Sequence, residues 1–112
     1  MNIQRLFRAA KNSVDGLKVL WVEEAFRLEV IILLIALPVI FFLPVTGSLK
    51  LLLLLLLILL LVVEAINSAI EAIIDRISLD YHPQSRKAKD IGSAAVLLVL
   101  IMNVIAWIYV IC

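Results

Sequence analysis

The stretch LLLLLLLILLLVVEAINSAIEAIID, residues 51–75, decides the fold. Its first part, Leu51 to Val63, contains no polar residue, and apolar runs of this kind are typical of helices that cross a membrane. Its second part carries five polar or charged residues, Glu64, Asn67, Ser68, Glu71 and Asp75. A charged side chain in hydrocarbon costs several kcal/mol, so an acidic residue there is a candidate for function. The stretch therefore predicts a membrane helix that ends in a functional site.

The composition of the whole chain indicates a membrane protein. Of 112 residues, 65% are hydrophobic and 17% are charged, and the mean hydropathy is +1.19. These values exclude a soluble domain of ordinary composition, and we predict a single membrane domain over residues 1–112. A single cysteine, Cys112, excludes an intrachain disulfide. No short apolar core with a small-residue cleavage site follows the basic N-terminal residues, so we predict no cleaved signal peptide.

The periodicity predicts an all-α protein with one surface helix and three spans. Residues 2–21 are predicted to form an amphipathic helix at the lipid surface, because one stripe of it is apolar: Ile3, Leu6, Phe7, Ala10, Val14, Leu17 and Trp21. The spans are predicted at about residues 25–45, 49–77 and 88–112. The second span is longer than hydrocarbon requires, so its far end projects toward water, and Glu64 lies about 22 Å from its start.

Basic residues predict the orientation in the membrane. Nine of them fall on one side of the predicted spans, Arg5, Arg8, Lys11, Lys18, Arg27, Arg76, Arg86, Lys87 and Lys89, and one falls on the other, Lys50. Cytoplasmic segments of membrane proteins carry an excess of basic residues. We therefore expect the N-terminus and the connector between the second and third spans in the cytoplasm, and the C-terminus on the far side of the membrane.

Polar residues of the second span share one helix face at the cytoplasmic level. At about 100° per residue, an arc of about 100° contains Glu64, Asn67, Ser68, Glu71 and Asp75. Charged residues also begin the other two spans: Glu23, Glu24, Arg27 and Glu29 before the first, Lys89 and Asp90 before the third. Such a layer suits either polar contacts between helices or a site that binds Mg²⁺ and phosphate, since carboxylates are ligands of Mg²⁺. The phosphate-binding signature G-x-x-x-x-G-K-[ST] is absent from the sequence.

Three segments, E-A-I-N-S-A-I-E-A-I-I-D-R from Glu64, Y-H at Tyr81 and A-K-D-I-G-S-A-A-V from Ala88, closely resemble the prokaryotic diacylglycerol kinase family. The segment E-E-A-F-R-L-E and the N-terminal helix extend the resemblance over nearly the whole chain. The resemblance implies small inner-membrane enzymes with one surface helix and three spans per subunit. It also implies homotrimers with active sites shared between neighbours, in which MgATP phosphorylates a lipid alcohol.

Site residues are implied by the same resemblance. Glu64 matches the general base that acts on the lipid hydroxyl, and Glu71 and Glu23 match ligands of the ATP-bound Mg²⁺. Glu24 is the rival of Glu23, because the chain is one residue shorter between Gly16 and Ala25 than the family pattern. The implied ATP contacts are Arg5, Asn12, Glu23, Glu71, Asp80, Tyr81, His82, Lys89 and Asp90. The implied lipid contacts are Arg5, Glu64, Asn67 and Ser93.

Three alternatives remain open at this point. The first keeps the chemistry and changes the acceptor to undecaprenol, the substrate of a related branch. The second is a small proton-coupled multidrug exporter, which also has an intramembrane Glu but normally has four spans. The third is a non-catalytic assembly subunit, in which Glu64→Gln changes no activity.

Overall fold

The computed structural model describes residues 2–112; Met1, the first residue of the predicted domain, lies outside the described residues. Four α-helices follow one another: α1 Ile3–Leu20, α2 Glu24–Phe42, α3 Gly47–Ile77 and α4 Pro83–Ile111. Residues 2–112 contain no β-strand. The helices α2, α3 and α4 are each long and apolar enough to cross a membrane. The predicted all-α architecture is confirmed, with three apolar helices long enough to cross a membrane.

Helix α1 begins at a side-chain N-cap, and nearly all of its residues are exposed. The Asn2 Oδ1 accepts a hydrogen bond from the Arg5 backbone N–H at 2.8 Å, which satisfies one of the free amides of the first turn. The residues of α1 are exposed except Leu20, and large apolar side chains such as Phe7 and Val14 are among the exposed ones. Placement of α1 on a lipid surface stays a prediction.

A tight turn joins α2 to α3. Leu43 has an extended backbone (ψ 136°) because Pro44 follows it, and this ends α2 at Phe42 rather than at residue 45. The Lys50 Nζ donates a hydrogen bond to the Phe41 carbonyl oxygen at 2.7 Å and lies 5.7 Å from the centroid of the Phe41 ring. A cation at the C-terminal end of a helix is favourable, so Lys50 closes the α2–α3 hairpin.

The connector between α3 and α4 spans only residues 78–82. The sequence places the start of the third span at about residue 88, whereas α4 begins at Pro83. Two local features explain the earlier start: proline suits the first position of a helix, and the His82 Nδ1 accepts a hydrogen bond from the Gln84 backbone N–H at 3.1 Å. The polar residues 83–90 therefore form the first two turns of α4.

Helix α3 is the central element and packs against both α2 and α4. With 31 residues it is about 46 Å long, well beyond the ~30 Å of the hydrocarbon layer. Its first half contributes Leu53 and Leu57 to the apolar core, which also contains Ala36 and Ile40 of α2 and Ala106 of α4. The chain exposes 8487 Å², against about 6,200 Å² for a compact soluble protein of this mass. The excess is largely apolar side chains, a surface suited to lipid or to further subunits.

Candidate active site

Four carboxylates lie in the region where α2 begins and α3 passes it. Glu64 lies on α3 and is 8% exposed. Glu71, two helical turns further along α3, and Glu23, immediately before α2, lie near enough for their negative charges to act on Glu64. The charge of Glu64 in turn acts on Glu29 of α2. The antiparallel contact of α2 with α3 therefore concentrates negative charge around one buried carboxylate.

Asn67, a buried residue of α3, makes a hydrogen bond to one carboxylate of this cluster. Its side chain is 8% exposed, and its Nδ2 donates a hydrogen bond to the Glu71 Oε1 at 3.3 Å. Asn67 and Glu71 are four residues apart, a spacing that places two side chains next to each other on a helix surface. Asn67 therefore orients one of the carboxylates that face Glu64.

Glu23 and its rival Glu24 are neighbours at the start of α2. Both are exposed; Glu23 stands at the N-cap position, without a side-chain capping hydrogen bond, and its charge acts on Glu64, while Glu24 is the first residue of α2. Glu23 also borders a cavity of about 420 Å³ between α1 and α3. The cavity is lined by Ser13, Gly16, Leu17, Val19, Leu20, Glu23, Ala65, Ser68, Ala69 and Ala72. Most of this lining is apolar, and Ala65 and Ser68 bring it next to Glu64 along α3.

A second, polar cavity lies at the α3–α4 connector. It has a volume of about 220 Å³, and its lining includes four predicted ATP contacts, Asp80, Tyr81, His82 and Lys89. The Lys89 Nζ lies 2.9 Å from the Asp75 Oδ1 and so joins α4 to α3. Asp90, a further predicted contact, pairs with Arg86 one turn earlier on α4 at 3.2 Å. Both cations stand at a cavity near the start of α4.

Three predicted residues lie apart from both groups within one chain. Arg5 and Asn12 are exposed on α1, and neither lines the cavity between α1 and α3. Ser93 is exposed on α4, one position beyond Gly92, which is buried against α3. Within one chain, none of these three residues contributes to the carboxylate cluster.

Two residues that were noted in the sequence but not predicted as site residues also belong to this region. The Glu29 Oε2 is buried without a hydrogen-bond partner among residues 2–112, and Glu29 faces Glu64. The sequence feature that could have identified Glu29 is a carboxylate within an apolar helix, where a charged side chain has a high free-energy cost. Arg86 lines the polar cavity beside Lys89. Its signal was weaker, because Arg86 belongs to a run of basic residues that also fits the orientation rule.

The donor set fits a divalent cation that arrives with phosphate. Among residues 2–112, no group of three or more His, Cys, Asp or Glu side chains could hold a metal ion unaided. Mg²⁺ in phosphate-transferring sites usually takes one or two protein carboxylates and completes its shell with water and phosphate oxygens. Glu23 and Glu71 supply two carboxylates, and the negative charge they share with Glu64 is one that a cation would offset.

Comparison with known proteins agrees with the resemblance seen in the sequence. The sequence model of the family described as prokaryotic diacylglycerol kinase matches residues 11–111. The diacylglycerol kinase of Escherichia coli (strain K12) is 43% identical over 104 residues, covering 92% of this chain and 85% of that protein. The diacylglycerol kinase of Helicobacter pylori (strain 26695) is 43% identical, with 93% and 82% covered, and that of Pseudomonas aeruginosa is 38% identical, with 94% and 86% covered. The predicted resemblance is confirmed, and the chain belongs to the prokaryotic diacylglycerol kinase family of enzymes.

Proposed function

We propose that the protein transfers the γ-phosphoryl group of ATP to the hydroxyl of membrane diacylglycerol, giving phosphatidic acid. The acceptor oxygen forms a new bond to the γ-phosphorus, the bond from that phosphorus to the β–γ bridging oxygen breaks, and ADP leaves. The proton of the acceptor hydroxyl passes to a carboxylate of the protein. Phosphoryl transfer asks the protein chiefly for positioning and charge neutralisation, which a small chain can supply.

The observation that carries this proposal is the buried carboxylate of Glu64 beside an apolar cavity. Glu64 is 8% exposed, and Ala65 and Ser68 of the adjoining turn line the cavity between α1 and α3. A lipid alcohol that places its chains in this apolar space brings its hydroxyl to the level of Glu64. General bases act when they lie within hydrogen-bond reach of the proton they accept. Glu64 is therefore the proposed base, and Asn67 and Ser93 are proposed lipid contacts.

Nucleotide and metal are assigned to the groups around the base. We assign Glu23 and Glu71 as the carboxylates that hold Mg²⁺, which when bound would neutralise phosphate charge. Lys89 pairs with Asp75 at 2.9 Å and would exchange this partner for a phosphate oxygen. The polar cavity at Asp80, Tyr81 and His82 is the proposed place for the rest of the nucleotide, with Asp90, Arg5 and Asn12 as further contacts.

The assembly and the orientation are part of the same proposal. We propose a homotrimer, because Arg5, Asn12 and Ser93 stand apart from the carboxylates within one chain and a neighbouring subunit would complete the site. The mass of the detergent-solubilised particle tests this. We place the protein in a bacterial inner membrane with the N-terminus cytoplasmic and the C-terminus periplasmic. Labelling of Cys112, which is exposed, with a membrane-impermeant thiol reagent tests the orientation.

Among the alternatives, undecaprenol kinase differs only in the acceptor. Membership of a kinase family leaves no support for the multidrug exporter or the non-catalytic subunit, and the three spanning helices also differ from the exporter's four. The choice between diacylglycerol and undecaprenol depends on the shape of the acceptor, so the experiment compares the two directly.

The test is transfer of labelled γ-phosphate from MgATP to diacylglycerol and, in parallel, to undecaprenol in mixed micelles. Glu64→Gln is expected to lower kcat for diacylglycerol by about 10²–10⁴-fold, the usual contribution of a general base. Asp15→Asn removes an exposed carboxylate on α1 and serves as the matched control, with unchanged activity expected. Transfer to undecaprenol alone would show that the acceptor is undecaprenol and not diacylglycerol. No transfer to either by the folded wild-type protein would refute the proposed function.

A further inference from the structure

Gly92 lies at the closest approach of α4 to the functional face of α3. A Cβ atom at this position would lie 3.2 Å from the Asn67 Cγ and closer still to its Oδ1. Contacts this short require the neighbour to move, and here the neighbour is a short, buried amide rather than the end of a flexible chain. The other two glycines differ: a Cβ at Gly16 or Gly47 would meet no atom within 4 Å among residues 2–112. Gly92 alone of the three glycines is required by its surroundings.

The contact also sets which way the Asn67 amide points. Its Oδ1 is buried, has no hydrogen-bond partner among residues 2–112, and faces Gly92. Its Nδ2 faces the other way and donates to the Glu71 Oε1 at 3.3 Å. The reversed amide would bring its oxygen against a carboxylate, which only accepts hydrogen bonds. The Asn67 amide therefore lies between Gly92 of α4, which its Oδ1 faces, and the Glu71 carboxylate, to which its Nδ2 donates.

We propose that Gly92 is a positioning residue for phosphoryl transfer. Because residue 92 has no side chain, the Asn67 amide fits against α4 at this point; we call this space the seat of Asn67. In this position, Asn67 holds the carboxylate of Glu71 toward Glu64. This inference rests on the proposed function, because it gives Glu71 a role in binding the nucleotide's metal. Gly92 itself touches no substrate and acts through Asn67.

A second contact on the same side of α4 strengthens the inference. Lys89 lies three residues before Gly92, a spacing that places both on one helix face, and Lys89 binds Asp75 of α3. Close approach of small residues is a common way for membrane helices to pack. A methyl group at residue 92 would thus disturb the seat of Asn67 and the neighbouring cation together, at two points that face the nucleotide in the proposed site.

The experiment compares Gly92→Ala with Gly47→Ala, which adds the same methyl group where no atom is near. Gly92→Ala is expected to raise the KM for MgATP and lower kcat, together about 100-fold in kcat/KM, since a displacement of about 1 Å costs this much in a positioned site. The KM for diacylglycerol is expected to change less than the KM for MgATP: Asn67 is one proposed lipid contact, but the apolar cavity proposed for the lipid chains lies between α3 and α1 and does not include Gly92 or Asn67. A purely structural role would lower the amount of folded enzyme and leave both KM values unchanged.

Thermal unfolding in detergent tests the contact independently of activity. Gly92→Ala is expected to lower the Tm, and the double variant Gly92→Ala/Asn67→Ala is expected to regain the Tm of Asn67→Ala, because the atoms that the methyl strikes are gone. Equal destabilisation in both backgrounds would overturn the assigned contact. Wild-type activity with unchanged MgATP kinetics in Gly92→Ala would overturn the positioning role. If the wild-type protein transfers no phosphate, the proposed function fails, and the Tm comparison still decides whether Gly92 seats Asn67.

Discussion

Two buried asparagines in this protein do different things. Asn103 on α4 is 4% exposed, and its Nδ2 donates to two backbone carbonyls, Leu56 O of α3 and Val99 O of α4, each at 3.0 Å. Asn67 on α3 is 8% exposed, and its Nδ2 donates to a carboxylate, the Glu71 Oε1. In both residues the Oδ1 is buried without a partner among residues 2–112. The two amides differ in which group accepts their hydrogen bonds.

This difference separates packing from chemistry inside an apolar protein. Backbone carbonyls are fixed by the helices, so Asn103 joins α3 to α4 at one register and has no reacting group near it. A carboxylate side chain can move, so the hydrogen bond from Asn67 restricts the Glu71 side chain, which could otherwise adopt several rotamers. In this protein the partner of each buried amide, and not its burial, is what distinguishes the proposed site residue Asn67 from Asn103.

Within this comparison of the two asparagines, the largest expected effect comes from Asn67→Ala. With its hydrogen bond lost, Glu71 is free to turn away from Glu64, and kcat/KM for MgATP should fall about 100-fold, as for other small displacements in positioned sites. The Tm should change little, because membrane hydrogen bonds contribute only about 0.6 kcal/mol on average. Initial rates at varied MgATP, corrected for the folded fraction, measure the effect. A loss of rate that only followed the folded fraction would make Asn67 a packing residue like Asn103.

The helices were predictable from the sequence because their signal is local. Apolar runs gave three spans, and about 100° per residue grouped Glu64, Asn67 and Glu71 on one face. The start of α4 was not predicted, because His82 and Pro83 form an N-terminal cap within what looked like a polar connector. Local capping chemistry there outweighed the hydrophobic pattern.

The contacts between helices could not be predicted in the same way. The contact of Gly92 with Asn67 depends on the axial register of α4 against α3, which the connector at residues 78–82 and the side-chain packing determine together. The placement of Glu29 against Glu64 depends likewise on how α2 packs on α3. The choice between Glu23 and Glu24 stays a prediction: the two residues are neighbours at the start of α2, and one residue turns a helix position by about 100°.

The second prediction applies the same substitution to the other asparagine. Asn103→Ala removes two hydrogen bonds, but the carbonyls of Leu56 and Val99 lie within helices, so no backbone group is left newly unpaired. We expect a loss of about 1–2 kcal/mol in stability, from the hydrogen bonds and the small cavity together. The rate per folded molecule should stay within about twofold of wild type, since no reacting group is displaced. Thermal unfolding and initial rates on one preparation measure both, and a loss of rate in fully folded protein would remove the distinction between the two residues.

The smallest expected effect is at the end of the molecule farthest along α3 from the carboxylates. Lys50 donates to the Phe41 carbonyl oxygen at 2.7 Å and lies near the Phe41 ring, so it stabilises the α2–α3 hairpin as Asn103 stabilises the α3–α4 contact. Lys50→Met keeps most of the apolar stem and removes the charge, and should cost about 0.3–1 kcal/mol, the usual range for a cation at a helix C-terminus. Activity should not change. If the rate fell while the Tm held, the hairpin end would be coupled to the site, and the separation between a packing end and a chemical end of this protein would be wrong.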